Sequence, residues 1–495
     1  MVASRSGAVS TSVPSRSKMK AGGIGPFRDA TLRRNSSLYP YGIVGYPTSM
    51  ARAGIVLAAG LGTRMKSARP KVMHAVAGLP ILGHVVAALR AAEVERIVVV
   101  THKGGDEVRA FAAKLGAESV VQDPQLGTGH AAACAARALA GFSGTVLVTY
   151  GDMPLITAET FNASFAAQAK TGLAMIGFRP ANPAMYGRMI LDETGLLDRI
   201  VEFKDATDAE RAVTLCNAGI LSADAGSFFR WAARLENNNA QKEYYLTDVP
   251  LLAKAEGVMC AVVEAAQTEM MGVNSRAELA AAEAAMQKRL RARALADFAG
   301  LTAPETVFLS YDTVLEPDCQ VDPYVVFAPG VTVHSGAHIR SFSHLEGAEV
   351  AAGAIVGPYA RLRPGAVIEE NAHIGNFVEV KNARIEKGAK ANHLTYLGDA
   401  RVGAGANIGC GTITCNYDGF GKYRTDIGAG AFIGSDTSLV APVKIGDGAI
   451  TGAGSVVTRD VAANSLVVVR AEQKEIPGWA EKFRARKKAE KAAKK

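Results

Sequence analysis

Two sets of residues in this chain have the types and spacing to do chemistry. The first is Gly60-x-Gly62-Thr-Arg64 with Lys71 seven residues on. Small residues let backbone N–H groups approach phosphates closely, and the two cations balance their charge. Asp152, in Tyr150-Gly-Asp152, adds a carboxylate, which beside a polyphosphate is the natural ligand for magnesium. The loop is no Walker motif, since no GK[ST] follows, and no dinucleotide fingerprint, since the third Gly is replaced by Met65. Gln122 and Gln125, just before Leu126-Gly-Thr-Gly129, carry amides suited to reading a base edge. The second set lies near His393: Arg363, Lys381, Tyr396 and Asp399. Its cations suit a sugar phosphate, and an imidazole suits general-base work at neutral pH.

The elements that must position these residues differ between the halves. From Gly54, strand-like runs (Ile55–Ala59, Ile97–Thr101, Val146–Tyr150) alternate with helical stretches at about 81–92 and 128–140. That alternation predicts an α/β, doubly wound, Rossmann-like parallel sheet, which binds ligands beyond its carboxyl strand ends. The Gly60 loop and Asp152 both fall at such ends. Residues 276–296 lack Gly and Pro and are rich in Ala, Glu, Arg and Leu, which predicts a linking helix. From about residue 321, aliphatic residues recur every six: Phe327, Val333, Ile339 and Leu345; Val350 through Val380; then Ile427 through Val457. That period fits a parallel β-helix of hexapeptide repeats, of the left-handed kind, and neither a helix nor hairpins. The repeat drifts near 385–401 and lapses between Thr412 and Asp426, where Asn416-Tyr-Asp-Gly-Phe-Gly-Lys422 intrudes. A loop ejected from a solenoid is a site candidate. The domains expected are 51–275 for the α/β half, 276–300 for the linker and 301–475 for the β-helix, with 1–50 and 476–495 as tails.

Composition narrows the function classes. The chain has 495 residues and a formal charge of +8. Residues 1–50 carry seven Lys/Arg against one acid, and residues 481–495 eight against two, so the body between them is net acidic at −4. The basic excess lies in the tails, which argues against nucleic-acid binding. The lysine-rich end reads as solvated and disordered. Residues 1–50 read as a disordered extension or an upstream start before Met50, with a transit peptide as the alternative. No apolar run approaches the roughly 18 residues that span a bilayer. Six scattered cysteines without a CxxC indicate neither zinc nor disulfides and point to a reducing cytosol.

Several segments carry a resemblance. Leu57-Ala-Ala-Gly-x-Gly-Thr-Arg-Met65, Pro70-Lys-Val72, Gln125-Leu-Gly-Thr-Gly-His-Ala131, Tyr150-Gly-Asp152 and Tyr186-Gly-Arg188 resemble the sugar-phosphate nucleotidyltransferases. More narrowly, they resemble the uridyltransferase half of the bacterial bifunctional family that makes UDP-N-acetylglucosamine. Asn392-His-Leu-Thr-Tyr-Leu-Gly-Asp399 is similar to its acetyltransferase half. The likeness spans roughly 52–475. It implies that Arg64 and Lys71 bind the triphosphate of UTP and stabilise the transition state. Leu57, Ala58, Gly60, Gln122, Gly127, Thr128 and Tyr150 line the nucleotide site, with Gln122, Gly127 and Thr128 on uracil. Gly187, Glu202 and Asn217 hold the acetylated sugar, and Asp152 and Asn274 hold magnesium.

In the second half the likeness makes His393 the base. Arg363, Lys381, Tyr396, Asn407 and Lys422 bind glucosamine 1-phosphate. Cys410, Asn416, Tyr417, Ser435, Ala453 and Arg470 bind acetyl-CoA. It further implies a cytoplasmic homotrimer acting on small molecules, with no membrane and no nucleic-acid partner. Three residues depart from the family pattern: Ala218 stands where Thr is usual, Lys242 where Gly is usual, and Cys410 where Ala is usual. Two rivals exist. One is a monofunctional nucleotidyltransferase whose β-helix only oligomerises or regulates; retention of His393 and the Asn416 loop argues against it. The other is a non-catalytic scaffold, which predicts loss of Arg64, Lys71, Asp152 or His393.

Overall fold

The computed structural model describes residues 51–239 and 241–493. The expectations for residues 1–50 lie outside them. Within the first half, seven strands form the body of one sheet in the order Met259–Ala265, Gly172–Phe178, Cys216–Asp224, Thr145–Tyr150, Arg52–Leu57, Arg96–His102, Glu118–Gln122. Arg52–Leu57 pairs in parallel with both neighbours, as the strand–helix alternation requires. Its residues alternate between two apolar layers, with Val56 facing one and Ile55 and Leu57 the other.

The sheet is not wholly parallel, which corrects the sequence reading. Cys216–Asp224 runs antiparallel to both its neighbours. After Gly172–Phe178 the chain returns through the hairpin Arg188–Leu191 with Leu197–Val201 and the single helical turn Asp208–Arg211, which is too short to carry the chain back across the sheet for a parallel strand. The helix expected at 128–140 is also shorter. It spans Thr128–Ala133 and tightens into a 3₁₀ turn at Cys134–Ala136.

The linker helix is Arg276–Ala296. Ser275 starts it, its hydroxyl accepting from Glu278 N at 3.2 Å, an N-cap that satisfies one of the orphan donors of the first turn. Its Ala282 and Met286 pack with Val76, Ala77, Ile81, Leu155 and Val273 of the α/β half. At its far end the buried Gln287 amide exchanges two hydrogen bonds with the Leu309 backbone, at 2.7 and 2.9 Å. Tyr311 N bonds Ala77 O at 2.8 Å. The helix and the first coil are thus bolted to the α/β half.

The β-helix has three faces of very short parallel strands. One row runs Val321, Ile339, Val356, Ile374, Ala391, Ile408, Ile433 and Thr451. Steps of 17 or 18 residues, three hexads, make one coil; the loop lengthens the step from Ile408 to Ile433. All these side chains are buried, as are the markers read from the hexad pattern. Coils stack so closely that a Cβ on Gly375 would strike Asn392 O. One corner carries a ladder of exposed aromatic rings: Tyr324, Phe342, Tyr359 and Phe377, with successive centroids 5.1, 4.8 and 5.3 Å apart. Each has positive φ, 55–64°. That conformation costs about 1–2 kcal/mol per residue, and each stacked pair recovers about 0.5–1.5 kcal/mol. The corner continues upward as Leu394, Gly411, Asp436 and Gly454, all with positive φ. The bulk therefore ends at Phe377.

The basic end departs from expectation in one respect. It is solvated, with no buried side chain, but it is helical over Trp479–Ala492. Ala, Lys, Arg and Glu are strong helix formers. Glu490 pairs with Lys487 at 2.7 Å and Arg486 at 3.8 Å. All six cysteines are unpaired. No helix among the described residues is long and apolar enough to cross a membrane.

Candidate functional site

The strand ends of the α/β half gather the first constellation. Arg52–Leu57 delivers Ala58 and Gly60 to the edge of the sheet. Arg64 follows in the 3₁₀ turn Thr63–Met65, exposed and without a side-chain partner among the described residues. Lys71 opens the next turn, Lys71–Met73, and points inward. Its Nζ donates to Asp152 Oδ2 at 2.5 Å and to Asn274 Oδ1 at 2.8 Å. Both acceptors are held by their own neighbours. Val273 N bonds Asp152 O at 2.9 Å, and Glu278 Oε2 accepts from Asn274 N at 2.8 Å. Two hard oxygens, 122 residues apart in sequence, therefore converge on one cationic point. That donor set fits magnesium, which takes few protein ligands and keeps several waters. Among the described residues no cluster of three His, Cys, Asp or Glu offers a rival metal site.

The base-reading expectation needs revision in part. Gln122 is buried, and its Nε2 donates to Gly127 O at 3.0 Å and faces His130 Nδ1 at 3.1 Å. Gln125 Nε2 binds Ala59 O. The donors of both amides are thus spent on shaping the loop, and the carbonyl Oε1 of Gln122 is left as its acceptor. Gly127 has φ 102°, and a Cβ there would lie 2.7 Å from Tyr244 O. The loop is zipped to Tyr244, whose N bonds Leu126 O and whose O accepts from Gly129 N, both at 2.8 Å. Thr128 Oγ1 accepts from Leu246 N at 3.1 Å.

Gly187, Glu202 and Asn217 come together beside Tyr150. Asn217 N bonds Gly187 O at 2.9 Å, and its Oδ1 accepts from Gly219 N at 2.8 Å. A Cβ on Gly187 would sit 3.3 Å from the Glu202 carboxylate, and one on Gly219 would meet the Tyr150 ring at 2.6 Å. Burial, then Asp205 and Asp248, hold the Glu202 carboxyl above its ordinary range. Burial, with Asp152 and Glu202 adding to it, pushes the Tyr150 phenol up to about 12, so it stays a hydrogen-bond donor. Lys242 has φ 55°. Gly adopts that conformation without the strain that a Cβ brings. Nothing in the structure explains Ala218.

On the β-helix, register gathers the second constellation. Asn376 pairs with His393 across adjacent coils, and Asn376 Oδ1 accepts from His393 Nδ1–H at 2.9 Å. That fixes the tautomer and leaves Nε2 as the free base. Asn376 escaped the sequence reading, although one coil, 17 residues, separates it from His393. Above His393 the same corner carries Cys410, Ser435 and Ala453, each two residues beyond its coil's marker (Ile408, Ile433, Thr451). Arg470 joins them, donating to Ala453 O at 2.7 Å.

The remaining residues lie on other parts of the coil. Arg363 is held by Glu379 at 2.8 Å, and Tyr396 stands in the row above Glu379. The Lys422 ammonium lies beside that of Lys381 and, with burial, holds it below the ordinary lysine value. Asp399 already supplies an anion beside both: despite its burial, hydrogen bonds from Asn382 and Asn416 and then the two ammoniums hold its carboxyl below the ordinary range. A cavity of about 380 Å³ opens beside them, lined in part by Asn382, Asp399, Lys422, Tyr423 and Arg424. Asn407 does not join this group. It stands in the row of Lys390 and Phe432, on the other side of the His393 corner. Asn416 and Tyr417 are also apart from Cys410 and Ser435, beyond the strand Ile413–Cys415. Asn416 Nδ2 is anchored to Asp399 at 2.5 Å, and Asp418 Oδ1 accepts from Phe420 N and Gly421 N at 2.8 and 2.7 Å. The ejected loop is therefore self-braced, with Phe420 99% exposed at its tip.

Comparison with known proteins finds relatives for both halves of the chain. Residues 54–214 match the MobA-like NTP transferase domain, and residues 424–459 match six repeats of the bacterial transferase hexapeptide. The chain is similar to the bifunctional protein GlmU of Jannaschia sp., 54% identical over 89% of this chain and 97% of that relative. It is 56% identical to GlmU of Rhodospirillum rubrum over 88% of this chain and 97% of the relative, and 56% identical to that of Acidiphilium cryptum over 88% and 99%. With identity of that degree running through both halves, the chain belongs to the GlmU family of bifunctional transferases.

Proposed function

We propose that the two halves run consecutive reactions on one sugar. In the β-helix, the amine of glucosamine 1-phosphate attacks the acetyl-CoA thioester carbonyl. His393 Nε2 takes the amine proton as the C–N bond forms and returns it to the sulfur as the C–S bond breaks, so coenzyme A leaves as the thiol. Lys381, Lys422 and Arg363 hold the sugar phosphate, with Tyr396 beside them. The column Cys410, Ser435, Ala453 and Arg470 is the track for the cofactor. The observation that carries this reading is the Asn376–His393 hydrogen bond, which aims a defined basic nitrogen at the foot of that column.

In the α/β half, the phosphate oxygen of N-acetylglucosamine 1-phosphate attacks the α-phosphorus of UTP, and pyrophosphate leaves. Arg64 and Lys71 bind the triphosphate, and Gln122 Oε1, Gly127 and Thr128 meet uracil. Gly187, Glu202, Asn217 and Tyr150 place the sugar. Asp152 and Asn274 would hold magnesium, which would neutralise charge on the phosphates. Positioning and electrostatics account for most of the catalysis.

The separation of Asn407 from Tyr396, and of Asn416–Tyr417 from Ser435, supports an acetyl-transfer site completed by a second copy, and with it a homotrimer. Six unpaired cysteines support a cytoplasmic enzyme. Replacing His393 with Ala and Asp152 with Asn, one at a time, tests the assignment. The first is expected to abolish acetyl transfer alone and the second uridyl transfer alone. An intact half-reaction in its own variant sinks that half of the reading.

A further inference from the structure

The ammonium of Lys71 occupies the point on which Asp152 and Asn274 converge, at 2.5 and 2.8 Å. Only 12% of the Lys71 and 16% of the Asp152 side chain is exposed. An ammonium and a divalent cation cannot share one point in a partly desolvated pocket, because like charges repel there far more than in water. The backbones that carry the two oxygens are fixed without Lys71. Val273 N and Glu278 fix their backbones through separate hydrogen bonds.

The Lys71 stem, by contrast, has a second place to go. Its Cβ lies beside Gly62, where an added side chain would come within 2.7 Å, so the stem runs along the phosphate loop. The backbone of Lys71 is itself fixed by the turn, with His74 N on Lys71 O at 3.3 Å. Movement is therefore confined to the four-carbon stem, which is flexible in lysine.

We propose, resting on the assignment of magnesium to Asp152 and Asn274, that Lys71 is a built-in stand-in for the divalent cation. It neutralises Asp152 while no nucleotide is bound. It then yields the oxygens to the metal and carries its charge to the triphosphate. Metal alone binds weakly because it must evict a cation that has no other partner. Nucleotide supplies that partner, so nucleotide and metal strengthen each other's binding, and by linkage they do so equally.

The test uses Mn²⁺ as the probe on the full chain without nucleotide, with free ion counted by electron paramagnetic resonance and binding checked by calorimetry. Lys71→Met is expected to bind Mn²⁺ about tenfold or more tighter than the wild type, a change of about 1.4 kcal/mol. It should also lose most of the further gain that UTP gives the wild type. Lys71→Arg, which keeps the charge, should stay as weak as the wild type. Asp152→Asn should weaken Mn²⁺ binding whatever stands at 71. If Lys71→Met binds no tighter while Asp152→Asn still weakens binding, the stand-in role is wrong and the metal site survives. Equal tightening in Lys71→Arg and Lys71→Met would also overturn it, since charge would not be the cause. If Asp152→Asn leaves Mn²⁺ binding unchanged, the metal assignment itself fails. Should Lys71→Met fail to fold by circular dichroism, Lys71→Gln makes the same comparison.

Discussion

The uridyl-transfer and acetyl-transfer regions are built on opposite plans. In the α/β half, Lys71, Asp152 and Asn274 come from points 81 and 203 residues apart and close into one half-buried knot. Everything that knot needs lies within one copy of the chain. On the β-helix, the candidate residues are strung out over successive coils, some along the open His393 corner and others on the faces beside it. Each coil can offer a side chain to a corner or a face, but a convex column cannot wrap around a substrate. The globular half gathers its site by folding, and on the function proposed above the solenoid completes its own by assembling.

That contrast can be broken at several points. The largest effect is expected from Gly375→Ala, whose Cβ would strike Asn392 O in the next coil. It should destabilise the β-helix by about 3 kcal/mol or more, abolishing acetyl transfer while uridyl transfer persists. Melting followed by circular dichroism alongside both assays checks this, and equal loss of both activities would mean the halves are not separable. Next is Arg64→Ala. Arg64 is exposed and has no side-chain partner among the described residues, so stability should change by under about 0.5 kcal/mol, while uridyl-transfer kcat falls by about 10²–10³. Asn376→Ala should lower acetyl-transfer kcat by about tenfold, because the His393 tautomer is no longer fixed. As a positioning residue, Asn376 should also shift the acidic limb of the kcat–pH profile, and Asn376→Gln should recover part of the loss. A profile that does not move would reduce Asn376 to packing. The smallest effect is Lys242→Gly, expected to stabilise the α/β half by up to about 1 kcal/mol by relieving a φ of 55°. A neutral or destabilising result by denaturant titration would show that the lysine makes up for its strain.

The two plans also differ in how plainly they are written in sequence. Hexads are local, so Val333, Ile339 and their successors announce a β-helix with each coil. The phosphate loop and Asp152 are legible because strand–loop–helix order places them at strand ends. What the sequence hides is long-range or cross-coil. The antiparallel course of Cys216–Asp224 depends on how a hairpin returns, which no local pattern encodes. Gln122 has the side chain of a base reader, but its donors serve the loop, because residue type does not say which partner lies nearest. Asn376 becomes legible only when the 17-residue step is counted backwards from His393. In the basic tail, charge density suggests disorder, whereas the helix propensity of its Ala, Lys and Glu residues points to the helix that forms.

The aromatic ladder that stops at Phe377 marks a change of use along one axis. Strands of adjacent coils are about 4.8 Å apart, so the column from His393 through Cys410 and Ser435 to Ala453 spans three graduations, roughly 14 Å. The solenoid is therefore a ruler as well as a scaffold. A whole coil added among the stacked rings would lengthen the stem and leave every graduation above it unmoved. The same coil inserted between Ile433 and Thr451 would push Ala453 and Arg470 one notch away from the base. The lower coils set where the instrument stands, and on the proposed cofactor track the upper ones would set the length it can measure.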